Sequence, residues 1–293
     1  GKTNYSRFGD GRAVLRSSIR EYLISATMRG LGIPTTQALC IIGSQETAMR
    51  DGMPEPCATV LRVTECHIRF GHFEHFYYNQ RYDDLRQLSD YCLERYFPAY
   101  QDSDNPHLAM LQEVIRRSAY LVAQWQAYGF VHGVMNTDNC TLSGETIDYG
   151  PCAFVDAYHP ETVFSSIDQY GRYAYANQPQ IAVWNLAQFA SCLLPLMGED
   201  MNAAIEEASA AVNEFPDLYA AEWLARFRAK IGLVEAREGD GALIETLLGR
   251  HKHQCTVVTA KIIPPLIGAE GVRICRTAQR AAQNPVHKLT KIK

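Results

Sequence analysis

The sequence predicts an α+β fold, in which a short part with one helix and two strands precedes a mainly helical part. Two observations predict it. Apolar residues first show one helical pattern and then strand-like runs up to about residue 64, and helical spacing prevails from Leu85 onward. The 293 residues are 47% hydrophobic and 20% charged, which is enough apolar material for one large core or two lobes and ordinary for a soluble protein.

The first part opens with a turn-rich segment that places Asp10 between Gly9 and Gly11. A helix is predicted directly after it, on the apolar residues Leu15, Ile19, Tyr22, Leu23 and Ala26, and the residues expected to end it are Gly30, Gly32 and Pro34. Residues 38–42 and 58–64 are apolar and rich in β-branched side chains, so they are predicted strands. The polar residues 43–56 between them are predicted to form a loop.

The second part contains several helical patterns. They cover residues 85–96, 110–125, 181–194, 201–214 and 218–231. Gly129 ends the second pattern, and a short hairpin is predicted after it. This order is that of a protein-kinase-like fold cut into at its N-terminal side, with a truncated N-lobe (1–80), a helical C-lobe carrying the hairpin (81–249) and a divergent tail (250–293).

The tail differs from the rest of the chain in charge. Nine basic residues and one acidic residue lie between Arg250 and Lys293, although the net charge of the whole chain is −4. We interpret it as a frameshifted or replaced terminus, and a basic disordered segment that binds an acidic partner is the alternative. No function is assigned to it.

Neither a membrane span nor a signal peptide is expected, since no run of 18 apolar residues occurs. A cytoplasmic protein is therefore predicted, with mitochondria as the alternative and with no nucleic-acid or membrane partner. The nine cysteines are expected to be reduced thiols, mostly in the core, because they show no C-x-x-C spacing; they are residues 40, 57, 66, 92, 140, 152, 192, 255 and 275.

The stretch from His132 to Pro151 carries the most chemistry. If Ser143-Gly144 is a two-residue hairpin loop, counting outward sets Asn139 opposite Asp148. An amide oxygen and a carboxylate about 5 Å apart could share one Mg²⁺ ion. Asp138, one residue earlier, would lie at the rim of that site, where it could accept a proton from an attacking hydroxyl. The alternative is that these polar residues only form turns.

Several long runs resemble selenoprotein O family sequences, in order, over about residues 1–249. The runs are Tyr5-Ser-Arg-Phe-Gly-Asp-Gly-Arg-Ala-Val-Leu-Arg-Ser-Ser-Ile-Arg-Glu21, Leu31-Gly-Ile-Pro-Thr-Thr36, Arg69-Phe-Gly-His-Phe-Glu74, Gly133-Val-Met-Asn-Thr-Asp-Asn139, Ile147-Asp-Tyr-Gly-Pro151, Gln169-Tyr-Gly-Arg-Tyr173, and Asn177-Gln-Pro179 through Trp184-Asn-Leu186. The resemblance implies a kinase-like fold that transfers AMP from ATP to Ser, Thr or Tyr hydroxyls of proteins and releases pyrophosphate. UMP transfer is attributed to relatives.

The resemblance also implies roles for single residues. Asp138 matches the catalytic base, Asn139 and Asp148 match the ligands of Mg²⁺ or Mn²⁺, and Asp148 also lies against the nucleotide. Asp10 and Gly11 match the pair that contacts the nucleotide, and a Gly-rich turn that opens a helix could direct free N–H groups at phosphate.

Three further positions concern the phosphates. Arg62 and Arg69 match the two arginines that hold ATP, a task that suits guanidinium groups. Glu21 matches the helix glutamate that pairs with an ATP-binding lysine. That lysine is expected to lie upstream of Gly1, and the family's redox-active C-terminal cysteine is not assigned to Cys255 or Cys275.

Competing functions remain at this point. A kinase catalytic loop has its Asp five residues before the metal-binding Asn, and Val134 occupies that position here, so transfer of the γ-phosphate is disfavoured. A catalytically dead ATP-binding pseudokinase fragment is the other alternative.

Overall fold

The computed structural model describes residues 2–3 and 9–250 and, for Arg250, only the backbone. The helices are α1 (Leu15–Gly30), α2 (Phe70–Tyr78), α3 (Tyr82–Tyr96), α4 (Pro106–Tyr128), α5 (Gln178–Met197), α6 (Met201–Asn213), α7 (Phe215–Ile231) and α8 (Asp240–Arg250), with 3₁₀ turns at Pro98–Tyr100, Thr137–Asn139 and Tyr175–Asn177. The strands are β1 (Gln37–Arg50), β2 (Met53–Val63), β3 (Phe130–Val131) and β4 (Ala153–Phe154). The predicted α+β composition is confirmed. The prediction for residues 250–293 lies outside the described residues, apart from the end of α8.

Contacts divide the chain into two units. The first extends to Thr64 and also contains Asp148–Gly150, and the second contains Glu65–Ile147 and continues from Pro151. The predicted division fell after residue 80, whereas the division by contacts falls after Thr64.

In the first unit, α1 packs against the antiparallel pair β1 and β2. Ser18 and Glu21 of this helix are both buried, so they lie on its inner side. The predicted loop at 43–56 is wrong. Both strands extend through it to a two-residue turn at Asp51 and Gly52, whose φ angles of 51° and 78° are those of a type I′ turn. The outer part of the hairpin is solvated, which is why its polar residues resembled a loop.

The second unit confirms the five helices predicted from spacing, with α4 ending at Gly129 in the left-handed conformation (φ 68°). Its core lies between α4 and α5, with α6 and α7 packed against α4. Helices α2 and α8 were not predicted. The seven cysteines among the described residues are free, and five are buried.

One segment, Tyr175–Met197, is long and apolar enough to span a membrane by length and composition, with a mean hydropathy of 1.3 over its best window. Half of that window is buried inside the protein, and α5 packs against α2, α4 and α6. A core helix accounts for it.

Candidate functional site

The turn that carries Asp138 and Asn139 is built in the second unit. Thr137–Asn139 form one 3₁₀ turn, closed by the Asn139 N–H donating to the Asn136 carbonyl at 2.9 Å. The Asn139 Nδ2 donates to the Val134 carbonyl at 2.8 Å, which fixes the amide orientation. The Val134 position therefore supports Asn139 through its backbone.

The hairpin after this turn has a different register from the predicted one. Cys140 is bridged to Thr146, and the Ile147 N–H donates to the Asn139 carbonyl at 3.3 Å. Ile147, and not Asp148, is thus opposite Asn139. The loop has three residues, because Thr141 closes onto Glu145 and Gly144 takes a positive φ of 76°, as in a type I turn followed by a left-handed residue.

Arg69 is tied to this turn. The Leu142 N–H donates to the Ile68 carbonyl and the Phe70 N–H to the Cys140 carbonyl, both at 3.1 Å, and Arg69 is bridged to Thr141. Its guanidinium donates to the backbone carbonyl of Asp138 at 2.9 Å. The structure thereby brings two of the predicted residues, Arg69 and Asp138, together.

Helix α2 begins directly after Arg69 and supports the same turn. The His72 Nδ1 accepts the Arg69 N–H at 3.0 Å, and burial lowers the pKa of His72. Glu74, two residues further, accepts a hydrogen bond from the Thr137 hydroxyl. The aromatic residues Phe70, Phe73 and Tyr77 recur at helical spacing, and that signal could have predicted α2.

Buried polar side chains form hydrogen bonds with the backbone around this turn. The fully buried His132 accepts the Val134 N–H at its Nδ1 (3.3 Å), so its Nε2 carries the proton and donates to the Ile147 carbonyl at 3.0 Å. Gln178 holds the His132 N–H at 2.9 Å, and the Asn185 Nδ2 donates to the Met135 carbonyl at 2.9 Å. Gln178 and Asn185 were not predicted, because their backbone partners lie 46 and 50 residues away in sequence.

In the first unit, Glu21 is the centre of a polar network. Its carboxylate accepts the backbone N–H groups of Asp148 at 3.1 Å and Tyr149 at 2.6 Å, and it forms an ion pair with Arg62 at 2.7 Å. Arg62 also donates to the Thr36 hydroxyl at 3.0 Å. The expectation for Glu21 was a lysine partner; the charged partner that it has in this structure is Arg62.

The segment Asp148-Tyr149-Gly150 is held in an uncommon conformation. Asp148 has a φ of 67°, a left-handed value that a residue with a side chain adopts at some energetic cost. Tyr149 is fully buried, and its hydroxyl lies 2.6 Å from that of Thr35. The Glu21 carboxylate, which binds both N–H groups, therefore stabilises this conformation.

Asp10 and Gly11 lie at the exposed start of the first unit. The Asp10 carboxylate binds the Arg50 guanidinium at 2.7 and 2.9 Å and accepts the Arg12 N–H, and these contacts hold its pKa at about 2. Gly11 has a φ of 67°. Helix α1 begins only at Leu15, after residues 13–14 have paired with β2, so the expectation that this turn directly opens the helix is wrong.

The predicted residues therefore form two groups. Arg69, Asp138 and Asn139 belong to the second unit, and the others belong to the first. The latter are Asp10, Gly11, Arg62 and Asp148.

Comparison with known proteins gives a family match over most of the chain. The family model described as "Protein adenylyltransferase SelO" matches residues 1–257. Relatives named "Protein nucleotidyltransferase YdiU" are 57% identical over 243 residues in Hahella chejuensis, 54% over 248 residues in Clostridium botulinum (strain Loch Maree) and 53% over 248 residues in Geobacillus kaustophilus. These alignments cover 83–85% of this chain and 48–51% of the relatives, so the chain spans about half the length of the curated relatives it matches.

Proposed function

Because the chain belongs to the protein adenylyltransferase SelO family, we propose that it transfers AMP from ATP to Ser, Thr or Tyr hydroxyls of proteins, on a kinase-like fold, with UMP from UTP as a second donor. The observation that carries the proposal is the contact between Arg69 and Asp138. It holds a guanidinium, proposed to bind phosphate, at the backbone of the residue whose carboxylate would receive the proton.

In this reaction the Asp138 carboxylate takes the proton of the acceptor hydroxyl. The hydroxyl oxygen forms a bond to the α-phosphorus, the bond from that phosphorus to the β-phosphate oxygen breaks, and pyrophosphate leaves. Arg69 and Arg62 stabilise the charge on the phosphates. Arg62 can do so while it remains paired with Glu21, because a guanidinium carries five N–H donors in a planar fork.

The donor chemistry fits Mg²⁺ or Mn²⁺. The Asn139 Nδ2 donates to the Val134 carbonyl, and the amide oxygen is the atom of this side chain whose chemistry suits a hard cation. Asp148 supplies a carboxylate, and its left-handed backbone is fixed by Glu21. When bound, the ion would neutralise phosphate charge. Asn139 and Asp148 are proposed as metal ligands on the basis of the family resemblance and of these donor types. Asp10 and Gly11 are proposed to contact the nucleotide on the same basis.

The test is incubation of the full chain with Mg²⁺ or Mn²⁺, a mixed protein acceptor, and ATP labelled at either the α- or the γ-phosphate. We expect protein-bound α-label alone, its loss in Asp138→Asn and Asp148→Ala, and wild-type transfer by Asp104→Asn, a matched exposed carboxylate in the second unit. Transfer of γ-label would refute the proposal in favour of phosphoryl transfer. ATP binding without transfer of either label would refute it in favour of a non-catalytic nucleotide-binding protein.

A further inference from the structure

Gly71 is the second residue of α2, and it lies against Asp138. The pairing of residues 68–70 with residues 140–142 brings the first turn of α2 to the turn that carries Asp138. A Cβ atom built on Gly71 would meet the Asp138 Oδ1 closer than 3.0 Å, its Cγ at 3.2 Å and its Cα at 3.5 Å. The space that an alanine methyl group would need is therefore filled by the Asp138 carboxylate.

The backbone of Gly71 does not itself require glycine. Gly71 is not among the residues with positive φ, and it lies within a regular helix. Within helices alanine is more favourable than glycine, by up to about 1 kcal/mol in the helix interior. Helix propensity thus favours alanine here, whereas the three atoms nearest to a Cβ, which all belong to Asp138, disfavour it.

We infer that Gly71 is a positioning residue for the proposed base, because the absence of its side chain leaves the place that the Asp138 carboxylate occupies. This inference rests on the proposed function for its catalytic consequence. The atom that would clash is the end of a short side chain, so a Gly71→Ala chain can fold normally by rotating the carboxylate away. The substitution therefore changes the position of the base while the fold keeps its stability.

The variants to compare in the full chain are Gly71→Ala and Gly241→Ala. Gly241 is the matched control, since it is also the second residue of a helix, α8, and a Cβ there meets nothing within 4 Å. Crystal structures of both variants would show the carboxylate directly. We expect it to move by about 1 Å or more in Gly71→Ala and to stay in place in Gly241→Ala.

Kinetics supply the second readout. A displacement of about 1 Å can reduce a rate by roughly 100-fold. We expect kcat for transfer of the α-label to fall by about that factor in Gly71→Ala, with KM for ATP changed less than about twofold and the unfolding temperature not lowered. Gly241→Ala should keep the wild-type kcat.

The outcomes separate this inference from the proposed function. An Asp138 carboxylate that remains in place in folded Gly71→Ala would overturn the inference, whether or not the chain transfers AMP. A displaced carboxylate supports it, and if the rate is then unchanged, the role of Asp138 as base is refuted and the positioning stands.

Discussion

Replacing Glu21 with glutamine should destabilise the first unit far more than removal of an exposed carboxylate. The Glu21 carboxylate accepts two backbone N–H groups, from Asp148 and Tyr149, and pairs with Arg62, while only 8% of the residue is exposed. Glutamine keeps one acceptor oxygen and turns an NH₂ group toward the other N–H. A hydrogen bond to a charged group contributes about 1.5–3 kcal/mol, and an unmatched buried donor adds a penalty, so we expect a loss of about 3 kcal/mol.

The matched control is Glu55→Gln in the same unit. Glu55 binds Arg16 through both carboxylate oxygens at 2.9 and 2.7 Å, but the Arg16 side chain is 48% exposed. Such a pair contributes at most about 1 kcal/mol. Both carboxylates pair with an arginine at 2.7 Å, whereas burial and the two backbone N–H donors distinguish Glu21 from Glu55.

Urea unfolding at pH 7 measures both losses, and amide hydrogen exchange at Asp148 and Tyr149 reports the local effect. Exchange there should accelerate in Glu21→Gln, because the left-handed conformation of Asp148 loses the acceptor that holds it. If Glu21→Gln cost no more than Glu55→Gln, or left the exchange of Tyr149 unchanged, the network centred on Glu21 would not stabilise the segment as described.

Two further predictions concern pH. Burial lowers the pKa of His107, whose Nδ1 lies 2.9 Å from the Ser89 hydroxyl, so the unfolded chain takes up the proton first; the free energy of unfolding should fall as pH drops below about 6.5, and His107→Asn should flatten this slope in urea titrations at several pH values. If the pH dependence of the free energy of unfolding were the same in His107→Asn, its attribution to His107 would be wrong. Arg116 and Arg117 bind Glu113 and lower its pKa to about 2, so its contribution is complete above about pH 4.5 and lost toward pH 2. Glu113→Gln should lower the free energy of unfolding by about 2 kcal/mol at pH 7, a figure that already allows for the exposure of Arg116. Equal stability of the wild type and the variant at pH 7 would refute this.

Helices were predictable where apolar spacing was regular and glycine marked the end. Gly30 and Gly129 end α1 and α4 as expected. The longer strands were also foreseeable, because Asp51-Gly52 is the sequence typical of a two-residue hairpin turn. The polarity of the outer hairpin obscured that signal, since a solvated two-stranded ribbon has no buried face to reveal its period.

The contacts of the candidate site were harder to predict from local sequence patterns. A loop one residue longer than assumed sets Ile147 opposite Asn139, and a shift of one residue changes every pairing in a hairpin. The partners of Glu21 are backbone N–H groups more than 120 residues away, and no side-chain pattern encodes them. Gly71 carries no side chain at all, so its relation to Asp138 appears only when the space around it is known.

The hydroxyl contact between Tyr149 and Thr35 stabilises the conformation of the Asp148-Tyr149-Gly150 segment in which the Tyr149 ring is buried. A phenylalanine ring in place of Tyr149 would lose only apolar burial on leaving this position. Tyr149 must also break a buried hydrogen bond of 2.6 Å, which contributes about 1 kcal/mol. Any conformation in which the Tyr149 ring is withdrawn is then about fivefold less populated than it would be with phenylalanine. The hydroxyl oxygen of Tyr149 therefore shifts the conformational equilibrium of this segment before any ligand binds.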